Sequence, residues 1–150
     1  VLFRSEGDCG ACTVVVVRPE GPSGAERLRY RAVDACITFL GMLDGCQLLT
    51  VEHLRGADGT LHPVQRLMVE EHGSQCGFCT PGFLVTLDAV FRDDLHASEE
   101  HIRAMLSGHL CRCTGYAPII KAALAAQATL LARGAQPHPD DAMPKEDVHA

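Results

Sequence analysis

No stretch of these 150 residues approaches the ~18 consecutive apolar residues that a membrane-spanning helix requires. The longest β-branched run, Val14 to Val17, has the length of a strand, so membrane insertion is not expected. Positive charge is also scarce: 13 Lys and Arg stand against 19 Asp and Glu, a net charge of −6. A protein that neutralises nucleic-acid phosphates needs the opposite balance, so the expected partners are proteins or small molecules. No leader pattern is visible, but the first residue is Val1, so the true N-terminus is expected to be missing and a leader cannot be tested; the expected location is cytoplasmic. Against these shortages stand 47% hydrophobic residues and 14 glycines, enough for a core in one medium or two small domains. Disorder of the whole chain is excluded on that basis.

Cysteine is abundant, and its spacing argues against a disulfide framework. Six of the eight cysteines sit in tight pairs: Cys9 and Cys12, Cys76 and Cys79, Cys111 and Cys113. Cysteines this close bond one another only with strain, whereas two thiolates from one tight turn can readily point at one metal. Cys76, Cys79, Cys111 and Cys113, in the pattern C-x2-C-x31-C-x-C, form a tetrathiolate donor set. Cys9, Cys12 and the later Cys36 suggest a second site of another type. The plant-type ferredoxin spacing is C-x4-C-x2-C followed by a distant cysteine, and these three supply all but the first ligand. Arg4 stands where that first ligand belongs, and an always-protonated guanidinium has no lone pair to offer iron.

Thr13–Arg18 and Arg27–Val33 are β-rich runs separated by Pro19, Gly21, Pro22, Ser23 and Gly24, which reads as a hairpin. Cys36–Leu43 has an apolar helical pattern and Gln47–Glu52 reads as a short strand. From Pro63 the period becomes helical: Val64, Leu67 and Met68; then Phe83, Leu84, Leu87, Val90 and Phe91; then Ile102, Met105 and Leu106. Pro118 opens a last helix through Leu131, with Ile120, Leu124 and Leu131 inward. The expected fold class is therefore α+β, an N-terminal fragment of strands followed by a small four-helix bundle. The expected units are residues 1–56, 57–133 and a polar, proline-rich tail or linker at 134–150. Cys79 precedes Thr80-Pro81-Gly82 and Cys113 precedes Thr114-Gly115-Tyr116, so two helix N-termini converge on one thiolate site, with Thr80 as the expected N-cap of the first.

Each motif has a plainer rival. Cys46, outside any pair, reads as a buried small hydrophobe. His72 and His109 flank the cysteine phrases, but no C-x-H pair occurs, which argues against a Rieske site. His53, His62, His96, His101, His138 and His149 read as solvated. Arg112, between two cysteines, either bears on the charge of the site or faces solvent. CGFC as a thioredoxin-like pair leaves Cys111 and Cys113 idle, and no aligned base supports a lone nucleophilic cysteine. A structural zinc site in an interaction module stays open, although C-x-C and a 31-residue gap are unusual for a zinc ribbon.

EGDCGACTV, the cysteine of VDACITFLG, GSQCGFCTPG and GHLCRCTGY together resemble the iron–sulfur subunit or domain of molybdenum hydroxylases. That group includes xanthine dehydrogenase, aldehyde oxidoreductase and aerobic carbon monoxide dehydrogenase. The resemblance runs from about Glu6 to Leu131. LHPVQRLMVEEHGSQCGFCTPGF and FLGMLDGCQLLTVEHL look most like bacterial xanthine dehydrogenase small subunits.

The resemblance implies two 2Fe-2S clusters. One is held by Cys9, Cys12 and Cys36 in a truncated β-grasp ferredoxin-like domain. The other is held by Cys76, Cys79, Cys111 and Cys113 in the helical domain. It also implies a partner chain bearing molybdopterin, with Gln75 and Cys113 against the pterin, and an FAD-binding domain or subunit that receives the electrons. Oxidation of a purine such as xanthine is the implied overall reaction, with aldehyde or carbon monoxide oxidation as the alternatives. Two positions depart from the pattern. Arg4 replaces a cysteine, so either the first cluster is absent or altered or the start is truncated or artefactual, the latter being favoured, and His109 stands where asparagine is usual.

Overall fold

The continuous valines lie in strand β1 (Thr13–Glu20), the middle strand of a three-stranded antiparallel sheet of order β2–β1–β3. A strand covered on both faces can be apolar at every position, and Val15, Val16 and Val17 are all buried. β2 (Arg27–Asp34) pairs with β1 along its whole length, from Thr13 opposite Asp34 to Glu20 opposite Arg27. β3 (Gln47–Leu49) pairs only with Val15–Val17. Beyond Val17, β1 is therefore an edge on that side. A residue without an N–H is tolerated there, so β1 continues through Pro19 instead of stopping at Arg18. This computed structural model describes residues 5–23 and 25–134. Arg4, Gly24, His138, His149 and the tail from 135 onward lie outside the described residues.

Two expectations before the helices need correction. Cys36–Leu43 is not one helix but two short 3₁₀ turns, Ala35–Ile37 and Leu40–Leu43, broken by extended backbone at Thr38 and Phe39. Its apolar side chains Ile37, Phe39, Leu40 and Met42 are exposed. The strand read at Gln47–Glu52 ends at Leu49 and passes into a 3₁₀ turn, Val51–Leu54. Leu49 already faces Val15, and at the start of β1 the Thr13 N–H and hydroxyl are both given to the Gly10 carbonyl, so little ladder remains to extend.

The helices are α1 (Pro63–Glu70), α2 (Thr80–Asp93), α3 (Glu99–Leu106) and α4 (Ala117–Ala132). Each has a local start signal. Pro63 opens α1 behind a capping box, in which His62 Nδ1 accepts from the Val64 N–H and Gln65 Oε1 accepts from the His62 N–H. Ser98 Oγ accepts from the His101 N–H at the start of α3, where Glu99 and Glu100 complement the helix dipole. His62 is therefore not a solvated residue as read: it caps α1 half-buried, with Nε2 3.9 Å from Asp88 Oδ1.

α2 is the central element, buried at every position from Gly82 to Phe91. It packs on β1, β2, α1, α3 and the 51–54 turn, while α4 packs on α1 and α3. Val15, Val17 and Leu49 of the sheet share one apolar core with Phe83, Leu87, Ile102 and Ile119 of the helices. Each fully buried side chain of this size contributes roughly 1.5–3 kcal/mol. Arg92 reinforces the join: its Nε donates to Asp88 Oδ2 at 2.7 Å and its guanidinium lies 5.1 Å from the Tyr30 ring centre. Met105 and Leu131, read as inward, are exposed. α3 has only two turns and buries the stripe of Ile102 and Leu106, and Leu131 stands near the end of α4. No described helix is long and apolar enough to cross a membrane.

Candidate metal centre

The GSQCGFCTPG loop turns into α2 through Gly77, whose φ of +82° is one that side-chain-bearing residues rarely adopt. The cap is displaced by one residue from the sequence reading. Cys79 occupies the N-cap position, while Thr80 begins the helix and its hydroxyl lies 2.8 Å from Ser74 Oγ. The Cys79 side chain makes no cap hydrogen bond, so its sulfur does not take up the free N–H groups of the first turn.

The second loop, GHLCRCTGY, enters α4 through Gly115 and Tyr116, both at φ +68°. Left-handed backbone at a tyrosine costs on the order of 1–3 kcal/mol and needs compensation. Here the Tyr116 hydroxyl accepts the Cys111 N–H at 2.9 Å, its own N–H bonds Thr114 Oγ1 at 3.1 Å, and its ring packs edge-on to Phe83. Thr114 Oγ1 also lies 3.1 Å from Cys111 Sγ. Thr114 and Tyr116 are therefore part of the site. In the sequence they stand only as residues before a helix.

Folding brings the two loops together so that their thiols pair across them. Cys76 stands against Cys113, and Cys79 against Cys111. The Cys79–Cys111 pair is buried and the Cys76–Cys113 pair is exposed. Cys111 also acts on Cys76 and Cys113, and Cys76 on Cys79, so the four thiols form one neighbourhood. Backbone N–H groups bias the charge. The Phe78 N–H, followed by the Cys113 thiol, holds the Cys76 thiol below its usual range. Burial pushes Cys111 up, but the Thr114 hydroxyl, the Thr114 and Cys113 N–H groups and the Cys79 thiol together outweigh it, so that thiol is lowered. Burial, then the Cys111 thiol, pushes Cys79 up to about 11, and the Cys76 thiol raises Cys113. In each pair one sulfur is thus the better thiolate and the other its proton donor. Metal binding displaces those protons.

At the N-terminal site the Cys36 N–H points at Cys12 Sγ at 3.4 Å, and burial followed by the proximity of Cys36 raises Cys12. Cys9 lies three residues before Cys12 in a loop with left-handed glycines at Gly7 and Gly10, and its carbonyl accepts the Leu110 N–H at 3.0 Å. Gln75 is exposed next to Cys76, and Arg112 faces solvent. Phe78, at 76% exposure, stands with Leu110 and Tyr116 as open apolar surface around the outer thiol pair. His72 is exposed and outside the site, whereas His109 is buried beside it. Cys46 is a correction: it is only partly buried, and its sulfur accepts from Arg18 Nε at 2.7 Å, so it serves as a polar partner, not a small hydrophobe.

The family model described as 2Fe-2S binding domain matches residues 50–124. Xanthine dehydrogenase of Drosophila pseudoobscura pseudoobscura is 44% identical over 120 residues, covering 80% of this chain and 9% of that protein. Aldehyde oxidase 1 of Cavia porcellus is 46% identical over 116 residues, covering 77% and 9%. The chain thus spans about a tenth of the length of these curated relatives. In the solved structure of quinoline 2-oxidoreductase from Pseudomonas putida 86, a chain 33% identical superposes with a TM-score of 0.68, covering 89% of this chain and 75% of that one.

Proposed function

Because this chain belongs to the 2Fe-2S binding domain family, among the iron–sulfur domains of molybdenum hydroxylases, we propose that it is the electron-transfer component of such an oxidoreductase. The observation that carries the reading is the two-by-two pairing of thiols across the loops, Cys76 with Cys113 and Cys79 with Cys111. A two-iron cluster takes two thiolates on each iron, whereas a zinc ion draws all four to one point. A 2Fe-2S cluster supplies one-electron redox chemistry when bound. The protein holds the four sulfurs on two helix entrances, directs the Phe78, Cys113 and Thr114 N–H groups at them, and buries Cys79 and Cys111 in the same apolar core as Phe83 and Ile119. Such hydrogen bonds and burial set a reduction potential.

The exposed Cys76–Cys113 edge is where we place the molybdopterin-bearing partner. Cys113 and Gln75 face outward within the apolar rim of Phe78, Leu110 and Tyr116, which suits contact with a molybdopterin-bearing partner. Cys9, Cys12 and Cys36 are assigned to a second 2Fe-2S cluster, in a β-grasp ferredoxin-like unit over 1–56 that precedes the helical unit at 57–133. It is the relay towards an FAD-binding partner. The residues that choose the substrate belong to other parts of the enzyme. The relatives support a purine such as xanthine, or an aldehyde, as the substrate, and a bacterial xanthine dehydrogenase small subunit is the narrower reading.

Iron and acid-labile sulfide analysis of the purified chain, together with its visible and paramagnetic resonance spectra, tests this. About four irons and four sulfides per chain and two distinct signals are expected for two complete clusters, and about half for one. A colourless, zinc-rich protein overturns the proposal.

A further inference from the structure

Between the two cysteine sites lies an imidazole to which the chemistry above gives no part. His109 is 6% exposed, and its ring packs at a tilt on Phe83 with centroids 4.8 Å apart. Nε2 lies 2.7 Å from Thr86 Oγ1, in the middle of α2. The other edge faces the Cys9–Cys12 loop. A Cβ at Gly10 would collide with Nδ1, and a Cβ at Gly82 would meet both the Gly10 carbonyl and Nδ1. The loop backbone, the ring and the start of α2 are therefore in contact with no room to spare, and both glycines are needed for that approach. Nδ1 is the single buried side-chain nitrogen or oxygen among the described residues that lacks a hydrogen-bond partner. A buried polar atom left so costs about 1–3 kcal/mol, which selects for a structure that uses it.

We propose that His109 is a positioning residue: its imidazole bridges Thr86 of α2 and Gly10 of the Cys9–Cys12 loop, and so sets where that loop sits against the helical cysteine site. The tautomer that serves both edges carries its proton on Nδ1, donates towards the Gly10 carbonyl and accepts from the Thr86 hydroxyl at Nε2. The ring is also adjacent in sequence to Leu110, whose N–H bonds the Cys9 carbonyl. Two links to one loop, through Gly10 and Cys9, thus leave from consecutive residues.

The two ring nitrogens can be tested separately, because a shorter or longer amide imitates one of them at a time. In His109→Asn the side-chain amide overlays Nδ1 and keeps the Gly10 link. In His109→Gln it overlays Nε2 and keeps Thr86 instead. Amide hydrogen exchange of the full chain as isolated reads the docking at Leu110 and Thr13, whose N–H groups end on Cys9 and Gly10. His109→Gln is expected to exchange at least tenfold faster at these two amides, His109→Asn to stay near the parent, and α1 and α4 to be unchanged in both. Unchanged exchange at Leu110 and Thr13 in both variants overturns the proposal, as does faster exchange in His109→Asn or loss of protection spread through α1 and α4. The inference rests on the proposed iron–sulfur function only for its significance. Exchange is read on the polypeptide, so absence of iron would defeat that function and leave this test standing.

Discussion

The backbone N–H of Leu110 donates to the carbonyl of Cys9 at 3.0 Å, so the residue before Cys111 is bonded directly to a cysteine of the N-terminal loop. One hydrogen bond and a few covalent bonds separate the two cysteine sites. A displacement of either loop is therefore felt by the other, and the consequences can be measured.

Cys111→Ser removes a buried thiol that faces Cys79 and is bonded through Thr114. Where a metal site forms only in the folded chain, ligand binding energy is folding energy. Loss of one of two paramagnetic signals is expected, with a stability loss of about 3 kcal/mol or more, roughly 6–12 °C in Tm. Retention of both signals at full intensity would refute the assignment of this cysteine.

Gly82→Ala sets two effects in opposition. In a helix interior alanine is favoured over glycine by about 1 kcal/mol. At Gly82 the added methyl would press on the Gly10 carbonyl and on His109. Overpacking against backbone costs typically 1–3 kcal/mol, so the net outcome is destabilisation. Gly108→Ala, where nothing lies within 4 Å of the added atom, serves as the control and should be near neutral. Urea titration of the two variants decides the order.

Arg92→Ala strips the closest cation from the buried Asp88 and the cation from the face of Tyr30. Leaving a buried carboxylate without its main partner costs 3–5 kcal/mol in general. His62 stays 3.9 Å away, so the lower end, about 3 kcal/mol, is expected. Calorimetry should show the loss, and Asp88→Asn combined with Arg92→Ala should recover part of it.

Burial lowers the His109 pKa below its ordinary value of 6.5. The unfolded chain therefore takes up a proton at this residue while the folded chain still resists it. By linkage the folded state is unaffected well above pH 6.5 and loses stability as pH falls through that value towards the lowered folded pKa. The slope contributed by this one group is at most about 1.4 kcal/mol per pH unit. In denaturant melts at pH 7.5 and 5.5, His109→Asn should show a smaller acid loss than the parent. An equal loss would show that His109 is not the group responsible.

The candidate ligands were legible in spacing. C-x2-C and C-x-C name their own cysteines, because a tight turn can present two thiols together whatever the rest of the fold does. The valine run and the helical periods of α1 to α4 were legible for a similar reason, since burial on a known period leaves its mark in sequence. Cys36–Leu43 misled. Its apolar residues have a helical rhythm, yet they lie on the outside, and periodicity cannot distinguish a face that packs in this chain from one that does not. Cys46 and His62 misled for want of partners: Arg18 lies 28 residues from the first and Asp88 lies 26 from the second.

By itself the sequence determined which residues could bind metal and which segments could be strand or helix, because both are properties of neighbours along the chain. Only the tertiary structure decided that Cys76 faces Cys113 and Cys79 faces Cys111, that one pair is buried and the other open, and that His109 fills the gap between Gly10 and Thr86. Those are relations between distant segments, set by how α2 packs on the sheet and how closely two glycines let backbone approach backbone, and no local pattern encodes them.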